Sequence, residues 1–151
     1  MPVVTIAELR DRVGREVGVS SWLTIDQPRI EAFADATEDR QFIHVDPEAA
    51  AQTPFGGTVA HGFLSLSMLS RMGAEAMLLP EGLRMAVNYG LDRVRFIAPV
   101  PSGKRIRGRF VLDSLDEKAP GQLLVRHSVT VEIEGVDKPA LTAQWLGLLF
   151  V

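Results

Sequence analysis

Asp39 and His44 lie five residues apart in the segment Ala36-Thr-Glu-Asp-Arg-Gln-Phe-Ile-His-Val-Asp46, and a loop separates them from Ala60-His-Gly-Phe-Leu-Ser-Leu-Ser67. A carboxylate and a neutral imidazole that share one water molecule form a general acid/base pair working near neutral pH. The chemistry expected of this segment is proton transfer. The nearby Gly62 starts an apolar stretch that reads as a helix, whose first free N–H groups favour developing negative charge. Gly62 N–H is therefore the candidate oxyanion donor, since glycine lets a ligand approach the backbone closely.

Other polar residues have simpler readings. His44, Asp46 and His61 suggest a metal set, but Asp46 serves better as the N-cap ahead of Pro47, and no pair has helical ligand spacing. No metal is expected. Gly56-Gly57 lacks the strand-to-helix context of a phosphate loop and reads as the edge of a lid, with Gly57 a candidate substrate contact. His61 reads as ordering its loop, and His127, on the apolar face of a strand, as a core or interface histidine.

Positioning these groups requires the following elements. Thr5 and Glu8 make a capping box for a helix bearing Ile6, Leu9 and Val13, and a strand is expected over 17–25. Asp26 caps a helix that stops near Thr37, and Asp46-Pro47 opens a short one through Ala51. From Gly62 to Met72 apolar residues cover nearly the whole circumference, which predicts one long buried helix. Strands follow over 84–89, 92–97, 104–113, 123–133 and 141–150, with clean period-two alternation in the third and fourth. The fold class expected is α+β, an antiparallel sheet wrapped around a long buried helix, in a single domain over 1–151.

Composition narrows the partners. Lys and Arg total 16 against 19 Asp and Glu, a net charge of −3, with no basic run suited to nucleic acid. There is no cysteine, which removes disulfides and thiolate chemistry. No signal peptide or membrane span is evident, so the expectation is a soluble cytoplasmic protein. An exposed sheet edge would be covered most simply by a second copy in a homodimer.

The chain also resembles a known family. Phe33-Ala-Asp-Ala-Thr-Glu-Asp39, His44-Val-Asp-Pro47, Phe55-Gly-Gly57, Ala60-His-Gly62, Arg95-Phe96 and Pro99-Val-Pro-Ser-Gly103 are similar to the MaoC-like (R)-specific enoyl-CoA hydratases. The resemblance implies a hot-dog fold, a dimer, and hydration of trans-2-enoyl-CoA to (R)-3-hydroxyacyl-CoA. It carries site roles onto Asp39, His44 and Ser67. Where many members have Asn-Pro, this chain has Gln41-Phe42; Gln41 keeps an amide for hydrogen bonding, while Phe42 loses the rigid proline turn. The working assignment has Asp39 as base, with His44 positioning the water and returning the proton, although either could abstract it and the pair titrates together. No cofactor is expected, coenzyme A entering only with the acyl-CoA substrate. Arg93, Arg95, Lys104 and Arg105 are candidates for its phosphates. Two rival functions are a hot-dog acyl-CoA thioesterase and a non-catalytic acyl-thioester binding module.

Overall fold

The computed structural model describes residues Met1–Val151. Val3–Val4 forms β1, and the capping box then starts α1 (Ile6–Arg10), with Glu8 N–H donating to Thr5 Oγ1 at 3.1 Å and Thr5 N–H to Glu8 Oε2 at 2.8 Å. The strand expected over 17–25 is two strands, β2 (Arg15–Val19) and β3 (Leu23–Ile25). Between them Ser20 Oγ accepts the Gly108 N–H at 3.0 Å, so a side chain replaces the ladder where the backbone breaks.

Asp26 caps α2 (Gln27–Thr37) by accepting the Arg29 N–H at 3.1 Å, and Glu38 ends it in the left-handed region at φ 60°. Glycine is the usual residue at such a helix stop, because a Cβ adds steric cost there. The turn delivers Asp39 to the site. A short helix that the sequence pattern does not announce, α3 (Phe42–Val45), carries His44. Asp46 then caps α4 (Pro47–Ala51), its carboxylate accepting the Ala49 N–H at 3.0 Å.

The long helix expected from Gly62 is interrupted at Met68, giving α5 (Gly62–Ser67) and α6 (Leu69–Ala76). It is not buried all round: Phe63 is 66% exposed, and Ser67, Ser70, Arg71 and Ala74 also face outward. Apolar residues on every side signalled burial, but one of those sides faces away from the sheet of its own chain. β4 (Leu79–Pro80) then pairs in parallel with β1.

Four long strands complete the chain: β5 (Met85–Phe96), β6 (Lys104–Ala119), β7 (Gln122–Ile133) and β8 (Val136–Phe150). The two strands expected over 84–97 are one, with register shifts between Asn88 and Gly90 and between Asp92 and Arg95. Those bulges broke the alternation that the sequence pattern relies on. The sheet order is β2-β6-β7-β8-β5, with β3 also paired to β6, and these pairings are antiparallel.

One sheet face packs against the helices, where Leu64, Leu69, Met72 and Ala76 meet Ile106, Phe110, Val129, Val131 and Leu141 in the larger core cluster. A smaller cluster of Leu9, Leu112, Leu115, Leu123, Val125 and Leu149 fills the other end. The opposite face is a polar ladder in which Arg107 Nε donates to Glu132 at 2.6 Å and Arg109 Nε to Glu16 at 3.0 Å. This is the α+β hot-dog arrangement. No helix is long and apolar enough to cross a membrane.

Candidate active site

Three loops and helix ends converge on Asp39, His44 and His61, whose side-chain oxygen and nitrogen donors lie within 4.8 Å of one another. His44 is buried, and its Nδ1 lies 2.6 Å from the Val59 carbonyl. A carbonyl only accepts, so Nδ1 carries the proton and Nε2 keeps its lone pair in the neutral ring. Burial, then the neighbouring His61, lower the His44 pKa; the Val59 hydrogen bond and the Asp39 charge oppose them. The balance favours the neutral ring.

The ring is held from several sides. Val59 N–H donates to Ile43 O at 3.0 Å, so the residue that orients His44 is itself tied to α3. Gln27, at the start of α2, donates from Nε2 to His44 O at 2.8 Å and accepts from Thr58 Oγ1 at 2.7 Å. Its one amide thus links α2, α3 and the loop before α5. Nothing in the sequence pattern singled out Gln27, because a residue that works through its neighbours leaves no motif.

His61 is 2% exposed and stacks on His44 with ring centroids 3.8 Å apart and an interplanar angle of 24°. Its Nε2 donates to the backbone carbonyl of Asp39 at 2.9 Å, which anchors the catalytic candidate through the main chain. Its Nδ1 is buried without a partner. Each stacked ring thus has one nitrogen on a backbone carbonyl and one free, and those two nitrogens with the Asp39 carboxylate are the donors that a water or a metal ion would meet here.

Beside His44 opens a cleft of about 270 Å³, walled by Ile43, Phe55, Val59, Phe96, Pro99 and Val100, with His44, Gly62 and Ser65 also on its lining. Asp39 is exposed and stands outside that lining, meeting His44 from the solvent side. Gly62 occupies the first position of α5, where its N–H has no carbonyl in a preceding turn. A Cβ there would lie 2.9 Å from the ring of the exposed Phe96, which would have to move aside.

The remaining sequence candidates are more dispersed. Ser67 is exposed and its hydroxyl donates to Phe63 O at 2.7 Å, whereas Ser65, two residues nearer the helix start and on its other side, is 3% exposed and faces the cleft. Gln41 is exposed at the start of α3, where its carbonyl accepts the His44 N–H at 2.9 Å. Gly57 is half-buried in the loop before Thr58 and does not line the cleft. Among the basic candidates, Arg105 is paired with Glu134, and Arg95 donates to Val94 O at 2.8 Å; Arg93 and Lys104 are exposed.

Residues 8–133 match the family model described as MaoC like domain. Nodulation protein N of Rhizobium leguminosarum bv. viciae is 51% identical over 150 residues, covering 99% of this chain and 93% of the relative. The 3-hydroxyacyl-thioester dehydratase Z of Mycobacterium tuberculosis is 46% identical over 140 residues, covering 93% and 92%. Among solved structures, the (R)-hydratase from A. caviae involved in PHA biosynthesis superposes with a TM-score of 0.70 at 25% identity, covering 87% of this chain and 95% of that one.

Proposed function

This chain belongs to the MaoC-like dehydratase family, and from that premise we propose that it catalyses the reversible hydration of trans-2-enoyl-CoA to (R)-3-hydroxyacyl-CoA. The observation that carries the reading is the His44 tautomer. With Nδ1–H committed to Val59 O, Nε2 is a fixed acceptor beside the Asp39 carboxylate. A water between them gives one hydrogen to each acceptor and turns its lone pair toward C3 of an enoyl thioester. The pair takes the proton as the C3–O bond forms and returns it to C2 as the enolate collapses.

Gly62 N–H receives the enolate oxygen in this scheme. In this scheme Ser65 contacts the substrate from within the cleft and Gln41 and Gly57 complete contacts at its outer side, while the Ser67 hydroxyl stays committed to Phe63 O. The reaction draws on no metal or redox cofactor.

A homodimer is part of the proposal. β5 has a neighbour on one side only, and Met85, Tyr89, Leu91 and Phe96 on it are 50%, 50%, 41% and 49% exposed. A long apolar edge of this kind is suited to pairing with the same strand of a second copy. That contact would also cover the outward side of α5 and bring the partner close to the cleft.

Pure protein incubated with crotonyl-CoA and with a longer trans-2-enoyl-CoA tests the chemistry. Loss of enoyl absorbance without free thiol supports hydration. Thiol release would instead show a thioesterase, and acyl-CoA binding without either change would show a binding module. Asp39→Asn and His44→Ala should each lower turnover by about 10²–10⁴-fold with the fold intact.

A further inference from the structure

The donors gathered beside the cleft differ from the set that spacing suggested, His44, Asp46 and His61. Asp46 is committed elsewhere, its carboxylate accepting the Ala49 N–H at 3.0 Å. The fold puts Asp39 in its place, and one ligand atom from each of Asp39, His44 and His61 lies within 4.8 Å of the other two. Two imidazoles and a carboxylate, with no sulfur, suit a first-row transition ion of the zinc type better than Mg²⁺ or Ca²⁺, which prefer oxygen ligands.

The hydrogen bonds around this set are those of metal-ligating histidines. Such a ring donates its other N–H to a carbonyl or carboxylate, which fixes its tautomer and orientation. His44 does this through Nδ1–H to Val59 O at 2.6 Å, and His61 through Nε2–H to Asp39 O at 2.9 Å. In both rings the second nitrogen is left as an acceptor. That of His61, Nδ1, is buried without a hydrogen-bond partner, on a residue only 2% exposed. Leaving such an atom bare costs free energy, so a buried nitrogen of this kind normally has a partner. The Asp39 carboxylate takes no part in an ion pair either, since the adjacent Arg40 turns to Asp35.

We propose that the Asp39 carboxylate, His44 Nε2 and His61 Nδ1 bind one divalent transition-metal ion of the Zn²⁺ class, which takes the position of the water between Asp39 and His44 and so inhibits the site. Two donors at about 2.0–2.1 Å from a tetrahedral ion stand about 3.3 Å apart, so a set spread within 4.8 Å draws inward on binding. Asp39 supplies most of that movement, being exposed on its turn, whereas both rings are tethered to carbonyls. Donors that must move bind less tightly than donors already in place, which makes the ion a reversible occupant. Once bound, it holds the Nε2 lone pair and the carboxylate, the two acceptors that take the proton of the water. The inhibitory half of the inference rests on the hydratase reading; the site itself does not.

The chain has no cysteine and three histidines, so metal signals from the tag-free protein have few sources. Co²⁺ titrated into it should give the visible d–d absorption of low-coordinate cobalt, saturating at one ion per chain and bleached by Zn²⁺. On adding Zn²⁺, the ring-nitrogen resonances of His44 Nε2 and His61 Nδ1 should shift in NMR spectra while those of His127 stay in place. Asp39→Ala, at an exposed position, and His61→Phe, which keeps a ring for stacking, should each weaken Co²⁺ roughly 100-fold or more, since even losing an outer hydrogen bond to a ligand costs about 10–100-fold. His127→Leu should bind as wild type does. Turnover of crotonyl-CoA should fall in step with Zn²⁺ occupancy and return on adding EDTA. A band that does not saturate, a stoichiometry other than one, or binding kept by Asp39→Ala would each overturn the site. Turnover unchanged or raised at full occupancy would overturn the inhibition. A protein that binds the ion yet never hydrates crotonyl-CoA when metal-free would sink the hydratase reading and leave the site standing.

Discussion

Acid should destabilise this protein through His127 by an amount that the structure sets. In the unfolded chain the imidazole titrates near its ordinary value of 6.5, and in the folded chain burial pushes it down to about 4. The folded pKa is the lower one, so protons bind the unfolded state more tightly. The contribution is fully present above the unfolded pKa and is lost as pH falls toward the folded value. The difference between 6.5 and about 4 corresponds to about 3 kcal/mol in the limit, and about 2 kcal/mol of it is gone by pH 5. Urea unfolding at one fixed protomer concentration, at pH 7.5 and pH 5.0, measures this when wild type is compared with His127→Leu. The carboxylates and His44 are common to both proteins, so their titration cancels in the difference. Wild type should lose about 2 kcal/mol more than the variant between the two pH values. Parallel losses, agreeing to within about 0.5 kcal/mol, would show that His127 is not held neutral by burial and would refute the reasoning.

Four other substitutions test the packing and the site. Gly18→Ala puts a Cβ 2.2 Å from Ala76 O, a backbone atom that cannot rotate away, and should cost more than about 2 kcal/mol in thermal or urea unfolding. Gln27→Leu removes the amide between Thr58 Oγ1 and His44 O; kcat for crotonyl-CoA should fall about tenfold with KM little changed, because the water-holding geometry loosens while the cleft walls stay. Ser65→Ala should raise KM severalfold, whereas Ser67→Ala should stay near wild type in the same assay, since the Ser67 hydroxyl is committed to Phe63 O.

What the sequence revealed follows from how local each signal was. Thr5, Asp26 and Asp46 act on N–H groups three residues away, so their caps could be located from spacing alone. β7 alternates without interruption, and its expected bounds of 123–133 differ from the observed strand by one residue. Where the pattern was broken by tertiary needs, the reading failed. The bulges in β5 made one strand look like two, and the hydrogen bond between Ser20 and Gly108 split a strand that looked continuous. The stretch from Gly62 to Met72 read as apolar nearly all round, yet Phe63 and Ser67 on it face outward. The spacing of Asp39 and His44 suggested that they meet, and the structure brings their side chains together. Val59 and Gln27, which orient His44, were not legible, because a backbone carbonyl has no residue type to recognise and Gln27 acts 17 residues away.

The three histidines show how burial separates into different roles. All are at most 7% exposed, so exposure alone would rank His61 as most buried and say nothing of chemistry. What distinguishes them is where each ring nitrogen goes. His44 spends Nδ1–H on Val59 O and keeps Nε2 next to a carboxylate, which gives it both an orientation and an accessible lone pair. His61 spends Nε2–H on Asp39 O, and its remaining nitrogen is buried without a partner, so it can position the pair but has no path for a proton. His127 has no hydrogen bond within the protein and borders an apolar cavity, where burial holds the ring neutral. A histidine reports a function only once both nitrogens are accounted for, and of the three rings that accounting leaves His44 as the one suited, beside Asp39, to the proposed acid/base step.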